Sequence, residues 1–130
     1  MKKIISKLVV MALMLFSSIS LFAQSNETIV KDLNEVFKKS LYKTEISIDK
    51  DGIVSREDNN GNTFVFSLKD VKDILSDDDG FQNMVIVFKD GKKSKGVVEG
   101  KNIESELNVV AFINFNDCEK AIELFKKLIK

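Results

Sequence analysis

Residues 109–129 read VVAFINFNDCEKAIELFKKLI, and this stretch decides which fold class the chain can adopt. The apolar run at 109–115 predicts a buried last strand, because β-branched and aromatic residues dominate it. Asn116 then predicts a helix N-cap, with Glu119 three residues later in the position of a capping box. The inward stripe of this helix consists of Cys118, Ala121, Ile122, Phe125, Leu128 and Ile129. The stretch therefore predicts a strand that runs directly into a closing amphipathic helix.

Upstream of this unit, apolar and polar residues alternate in a way that is typical of half-buried strands. Three short strands are predicted in this way, at 46–48, 53–57 and 63–68. The sequences DKDG at 49–52 and NNGN at 59–62 supply the turns between them.

The middle of the chain contains one strong strand signal and one segment of mixed period. Residues 83–89, NMVIVFK, predict a central strand, and Asp90-Gly91 predicts a hairpin turn after it. Residues 68–80, LKDVKDILSDDDG, predict a short helical turn or an irregular crossing. Its apolar side chains, expected to point inward, are Val71, Ile74 and Leu75.

An amphipathic helix is predicted at 26–41, with Ser25 or Asn26 as its N-cap. Its apolar face consists of Ile29, Val30, Leu33, Val36, Phe37 and Leu41. Since the strands are short and joined mostly by turns, an antiparallel arrangement is favoured over a parallel one. The predicted fold class is α+β, with a strongly bent antiparallel sheet or half-barrel between an N-terminal helix and the C-terminal amphipathic helix.

Residues 1–23 have the order of a secretory signal peptide, with lysines first, an apolar run next and a small residue last. Cleavage is predicted between Ala23 and Gln24, which leaves a single domain at 24–130. The expected location is the periplasm or the extracellular space, with membrane contact only through an uncleaved signal segment. The whole chain has 20 basic and 20 acidic side chains. Because the first 23 residues hold three lysines and no acid, the domain carries a net charge of about −3.

Composition excludes several kinds of chemistry. The chain has no histidine, so imidazole metal sites and Ser-His-Asp or Cys-His catalysis are excluded. The one cysteine, Cys118, cannot form an intrachain disulfide, and its place on the inward helix stripe predicts a packing role. The slightly acidic balance disfavours nucleic acid as a partner.

The candidate metal ligands are Asp77, Asp78 and Asp79, the densest acidic cluster of the chain. Calcium loops need ligands at alternating positions and a closing acidic residue, which the residues after Gly80 do not supply, so a solvated loop is favoured. Five further carboxylates are candidates for acid–base work without a motif that selects among them: Glu45, Glu57, Asp58, Asp70 and Asp73.

Residues 91–108 are polar and weakly patterned, and they predict one short strand at 96–99. This segment holds a basic patch that consists of Lys92, Lys93, Lys95 and Lys101. A solvated loop is the favoured interpretation, and an anion or partner site is the alternative.

Three stretches, FVFSLKDVKDI (64–74), NMVIVFKDGKK (83–93) and AFINFNDCEKAIELFKKLI (111–129), resemble the pleckstrin-homology-like superfold of small exported bacterial domains of unknown function. The resemblance spans residues 44–130 and implies a bent sheet that the C-terminal helix plugs. The signal segment, ending SLFAQ, resembles those of Bacteroidetes-type bacteria. No functional residues carry over from this resemblance.

The leading functional hypothesis is a non-catalytic exported domain that binds an envelope protein or a small ligand on the open edge or loop face of the sheet. No catalytic residue and no cofactor is assigned. The first alternative is a carboxylate-based or metal-assisted hydrolase of the cell envelope, which two carboxylates with opposed pKa shifts in one pocket would favour. The second is a structural or accessory subunit of an envelope complex, which an exposed apolar patch on the first helix would favour.

Overall fold

The computed structural model of the chain describes residues 26–129, so the predicted cleavage between Ala23 and Gln24 and the predicted cap at Ser25 lie outside the described residues. Helix α1 is described over 26–37 and helix α2 over Phe115–Leu128. Between them lie eight strands: β1 Glu45–Ile48, β2 Ile53–Glu57, β3 Thr63–Ser67, β4 Val71–Asp78, β5 Gln82–Phe88, β6 Ser94–Val98, β7 Lys101–Ser105 and β8 Leu107–Phe112. A short 3-10 helix, Leu68–Asp70, separates β3 from β4.

The strands form two antiparallel sheets, one of five strands in the order β1-β2-β3-β6-β7 and one of three in the order β4-β5-β8. The α+β class with an N-terminal and a C-terminal helix is therefore confirmed. The sheet structure is split in two and is not closed into a barrel. The predicted central position of β5 is also confirmed, because it pairs with β4 on one side and β8 on the other.

The hydrophobic core lies between the two sheets and α2. Phe66 of β3 joins all three parts: its ring is 5.2 Å from the ring of Phe88 on β5 and 6.3 Å from that of Phe125 on α2. A second aromatic contact, 6.2 Å between the ring centroids of Phe37 and Phe112, packs the end of α1 against β8. With no disulfide in the chain, such apolar burial is the main source of stability. No helix within residues 26–129 is long and apolar enough to cross a membrane.

Helix α1 ends earlier than predicted, at residue 37 instead of 41. The Ser40 hydroxyl donates to the Phe37 carbonyl oxygen and accepts from the Thr44 backbone N–H, which turns the chain. The Leu41 N–H then donates to the Ala111 carbonyl oxygen at the edge of β8. Leu41 fits the helical spacing, but its backbone is used to extend the sheet.

The predicted crossing at 68–80 is wrong for most of its length, because strand β4 occupies Val71–Asp78. Its register against β5 shifts between Val71 and Asp73, so Lys72 is an extra, bulged residue. The bulge lets Val71 and Ile74 face the core at a spacing of three, whereas Leu75 is 48% exposed instead of inward. Inward residues three positions apart are typical of a helix, so the sequence pattern did not indicate a strand here.

The segment after β5 also differs from the prediction. Asp90-Gly91 forms a turn, with the Lys92 N–H donating to the Lys89 carbonyl oxygen, but it links the two sheets and does not close a hairpin. Residues 94–105 form the β6–β7 hairpin where one short strand was predicted. Its two-residue loop, Glu99-Gly100, has φ values of 51° and 77°, as tight hairpin turns require.

The N-cap of α2 is Asn114, and the predicted cap at Asn116 with Glu119 as its capping-box partner is wrong. The Asn114 side chain accepts hydrogen bonds from the backbone N–H groups of Asn116 and Asp117, at 2.8 and 3.2 Å. Helix α2 therefore begins at Phe115, one residue before the predicted cap.

We expect Asn114→Ala to lower the free energy of unfolding by about 1 kcal/mol, because two N–H groups at the start of α2 lose their acceptor. Asn116→Ala is the matched control, since that side chain caps nothing, and it should have a smaller effect. Urea denaturation of both variants measures the difference. A larger loss in the Asn116 variant would show that the cap lies there after all.

Candidate binding site

A cavity of about 270 Å³ lies where the two sheets meet without closing. The inward face of β2 and β3 forms one wall through Arg56 and Phe64, and residues 109–111 of β8 form the other. Its charged lining residues are Arg56 and Asp58, and its polar ones are Ser40, Tyr42, Thr44 and Asn62. Two larger, open grooves, of about 500 and 580 Å³, run over the outer face of the five-stranded sheet. Arg56 also lines the first of these grooves, whereas the smaller cavity brings residues of both sheets together around this buried charge.

Arg56 is buried although it is a cation, with 6% of its surface exposed. Alternation along β2 places it on the same face as the core residue Val54, since side chains two apart share a face. One Arg56 Nη1–H donates to Asn108 Oδ1, and the guanidinium lies over the Phe64 ring, with Cζ 4.5 Å from the ring centroid. Arg56 Nε is buried and has no hydrogen-bond partner among residues 26–129.

The charge of Arg56 is not neutralised by an ion pair. The two ion pairs among residues 26–129 join Lys38 to Glu35 and Lys39 to Asp117, and none of these four residues lines the cavity. Burial lowers the pKa of Arg56 to about 10, and the nearby charge of Asp58 partly opposes that shift. The side chain therefore stays protonated at neutral pH. Burial of a charge without an ion pair is unfavourable in free energy. We therefore expect a specific reason for the burial of Arg56.

Asp58 shapes the turn between β2 and β3. Its Oδ1 accepts from the backbone N–H groups of Asn60 and Asn62 at 2.9 and 3.1 Å, and its Oδ2 accepts from the Asn62 side-chain amide at 3.2 Å. The Asn62 side chain in turn accepts from the Glu99 N–H of the β6–β7 turn. The Asp58 carboxylate, which lines the cavity together with Arg56, is thus already used for hydrogen bonds within the turn.

The edge of β8 supplies backbone groups to the other wall of the cavity. The Ala111 carbonyl oxygen accepts from Leu41 N–H, so the peptide groups of Ala111 point away from β5. Because backbone groups alternate in direction along a strand, those of Val109 point the same way. The cavity is therefore bounded by a buried cation on one side and by a strand edge on the other.

The predicted metal candidates Asp77, Asp78 and Asp79 lie at the exposed β4–β5 hairpin. Asp78 accepts from the Gly80 N–H and the Gln82 side chain, and Asp79 accepts from Asn83 and Phe81. The hydrogen bond from the Asn83 side chain, followed by that from the Phe81 N–H, lowers the pKa of Asp79. These oxygens build the hairpin. Residues 26–129 contain no group of three or more Cys, Asp or Glu side chains placed to hold a metal ion.

The other charged candidates are spread over the surface. Glu45 and Glu57 are paired across β1 and β2 and line an outer groove, whereas Asp58 lines the inter-sheet cavity. Asp70 ends the 3-10 helix and Asp73 lies on β4. The four lysines of the basic patch are exposed and divided between the β5–β6 loop, β6 and β7: Lys92, Lys93, Lys95 and Lys101.

Exposed apolar side chains lie on the outer face of the three-stranded sheet. Leu75, Leu107 and Val109 are each more than two-fifths exposed there. The apolar residues of α1, by contrast, face the core: Leu33, Val36 and Phe37 are buried. Within its described length, the first helix therefore does not present the apolar patch that the accessory-subunit alternative calls for.

Cys118 lies in the core with 1% of its surface exposed, as its place on the inward stripe predicts. Burial, with a smaller contribution from Glu119, raises the pKa of the thiol to about 11. The thiolate is the reactive form. We therefore expect an aromatic disulfide reagent to modify Cys118 only as fast as the protein unfolds. Immediate modification in native buffer, at the rate seen in denaturant, would contradict this.

The same shift predicts a pH dependence of stability. The folded pKa of about 11 lies above the ordinary value of 9.0, so the neutral buried thiol stabilises the fold fully below pH 9. This contribution is lost as the pH rises through 11. In urea denaturation between pH 8 and 11, Cys118→Ala should lose less stability than the wild type. Parallel losses in the two proteins would contradict the assigned shift.

Comparison of the chain with protein-family models, with curated proteins and with solved structures finds no significant match.

Proposed function

We propose that this chain is an exported, non-catalytic binding domain that takes a small ligand or a segment of an envelope protein into the inter-sheet cavity. One observation carries the proposal: Arg56 is buried in the cavity wall without an ion pair, and its Nε has no partner among residues 26–129. Buried polar groups are normally hydrogen-bonded, and exceptions tend to mark functional positions. A ligand in the cavity would supply the negative charge and the acceptors that the guanidinium lacks.

Binding is favoured over hydrolysis because of how the charged groups are arranged. The cavity combines one cation with one carboxylate, and that carboxylate accepts three hydrogen bonds within a turn. Hydrolysis by a carboxylate pair requires two such groups in different protonation states in one site. Glu45 and Glu57 lie side by side, but on an exposed outer surface.

Export is part of the proposal and rests on the signal-like order of residues 1–23. The pleckstrin-homology-like resemblance stays a proposal as well. Two antiparallel sheets with a C-terminal helix packed on the core are consistent with it. We expect the protein recovered after expression of the full chain in a bacterial host to start at Gln24. A recovered chain that starts at Met1 would contradict the signal prediction.

The binding function is tested by NMR with a library of neutral and charged fragments added to the 15N-labelled recovered protein. Binders are expected to shift the backbone amides of Thr44, Asp58 and Ala111, which line the cavity from three directions. Amides at 89–92, in the loop that follows β5 and outside the cavity lining, serve as the internal control. A screen in which no fragment shifts the cavity amides would contradict the proposed function. Turnover of an envelope substrate without any shift of the cavity amide signals would contradict it as well.

A further inference from the structure

We infer that the ligand of the inter-sheet cavity carries a carboxylate, which binds the guanidinium of Arg56. This inference rests on the proposed function and names the chemical class of the ligand. The guanidinium has five N–H donors in a rigid plane, and a carboxylate matches two neighbouring donors at once. Asn108 accepts one hydrogen bond from Nη1, and Nε is buried, so the remaining N–H groups on the Nη atoms are the ones that a ligand can use.

The surroundings hold the guanidinium in place for such a contact. Its face lies on the Phe64 ring, and Asn108, which is 3% exposed, is held in turn by its amide contact with Ser94 at 3.5 Å. An arginine held by a ring on its face and by an acceptor at one edge loses little conformational entropy when it binds. The donor is therefore preorganised, and the ligand supplies only the acceptor.

The charge balance favours a singly charged ligand. Arg56 is the cation and Asp58 the anion among the residues that line the cavity. A carboxylate brings one negative charge to Arg56, and the repulsion that it meets from Asp58 is that of a single charge. A phosphate brings up to two charges, and the second would face Asp58 without a cation to balance it. Around the site, the Tyr42 hydroxyl and the backbone edge of β8 offer polar contacts to the uncharged remainder of the ligand.

The carboxylate can come from a free small acid or from the C-terminus of a peptide, and matched pairs of probes distinguish these sources. Butyrate is compared with butyramide, and an acetylated Ala-Ala-Val peptide with its C-terminal amide. Inorganic phosphate and a set of neutral fragments complete the panel. Dissociation constants are measured by NMR titration of the recovered protein, with the cavity amides as readout. The variants are Arg56→Met, Arg56→Lys and, as a matched loss of one exposed cation, Lys95→Met.

We expect at least one carboxylate to bind about tenfold or more tightly than its amide, and the tighter carboxylate identifies the source. Arg56→Met should abolish the preference, Arg56→Lys should retain part of it, and Lys95→Met should leave it unchanged. The comparison of acid with amide needs only the wild type, so it remains decisive if an Arg56 variant fails to fold.

Three outcomes would overturn the inference: equal affinity for acid and amide, phosphate binding at least as tight as the carboxylates, or a preference that survives in Arg56→Met. Neutral fragments that bind the cavity while carboxylates do not would overturn the ligand class alone. A panel in which nothing binds the cavity would overturn the proposed function together with it.

Discussion

Replacing Phe66 by alanine is expected to lower the free energy of unfolding by about 3–5 kcal/mol. The side chain is 4% exposed, and its ring contacts Phe88 and Phe125, so one substitution removes contacts between both sheets and α2. The cavity that remains cannot collapse easily, because its walls belong to three different elements. For a domain whose total stability is of the order of 5–15 kcal/mol, this loss is a large fraction.

Urea denaturation followed by circular dichroism measures the effect, with Phe115→Ala as the matched control. Phe115 is 58% exposed at the start of α2, so its loss should change the midpoint little. Phe66→Leu should fall between the two, and it keeps the comparison measurable if the alanine variant does not fold. Similar midpoints for Phe66→Ala and Phe115→Ala would contradict the central place of Phe66 in the core.

Gly96→Ala is expected to destabilise the fold by about 2–3 kcal/mol, because the added methyl group would overlap with neighbouring atoms. A Cβ at this position would lie 2.5 Å from the Thr63 carbonyl oxygen and 2.8 Å from Cδ1 of Phe64. Gly96 pairs with Phe64 across β3 and β6, and the absence of a side chain lets the Phe64 ring lie against the neighbouring strand. The backbone contact cannot be relieved by a rotamer change, so β3 and β6 must move apart.

This variant also connects the fold to the candidate site. Because Phe64 supports the Arg56 guanidinium, a displaced ring should weaken carboxylate binding as well as lower the urea midpoint. Val97→Ala is the control, since Val97 is the next residue of β6 and its side chain is 37% exposed. A Gly96→Ala protein with wild-type stability would show that the two strands are further apart than the structure has them.

Much of the fold could be predicted from local patterns. Strands β1, β2, β3, β5 and β8 and both helices were expected close to where they lie, because period-two and helical spacing reflect which face is buried. β4 was missed because the bulge at Lys72 breaks its alternation. In the next hairpin, a strand predicted at 96–99 lies close to β6, whereas β7 was missed because its charged residues, such as Lys101 and Glu104, lie on an exposed strand at the edge of the sheet.

The candidate site was hidden for a different reason. In the sequence, Arg56 stands between Ser55 and Glu57, and a charged residue in polar company is normally solvated. A signal was nevertheless present, because alternation from Val54 places Arg56 on the inward face of β2. Its partner Asn108 is 52 residues away in the chain, and no local pattern links the two.

The sequence by itself determined the helices, most strands and the turns, because these depend on the conformational preferences of neighbouring residues and on the period of their apolar side chains. The division of the strands into sheets of five and three, and the position of the gap between the sheets, become visible only in the folded chain. That division depends on which apolar faces can be buried together, through contacts between residues far apart in the chain. The same long-range packing draws Arg56 into the gap, so the candidate site exists only in the folded protein.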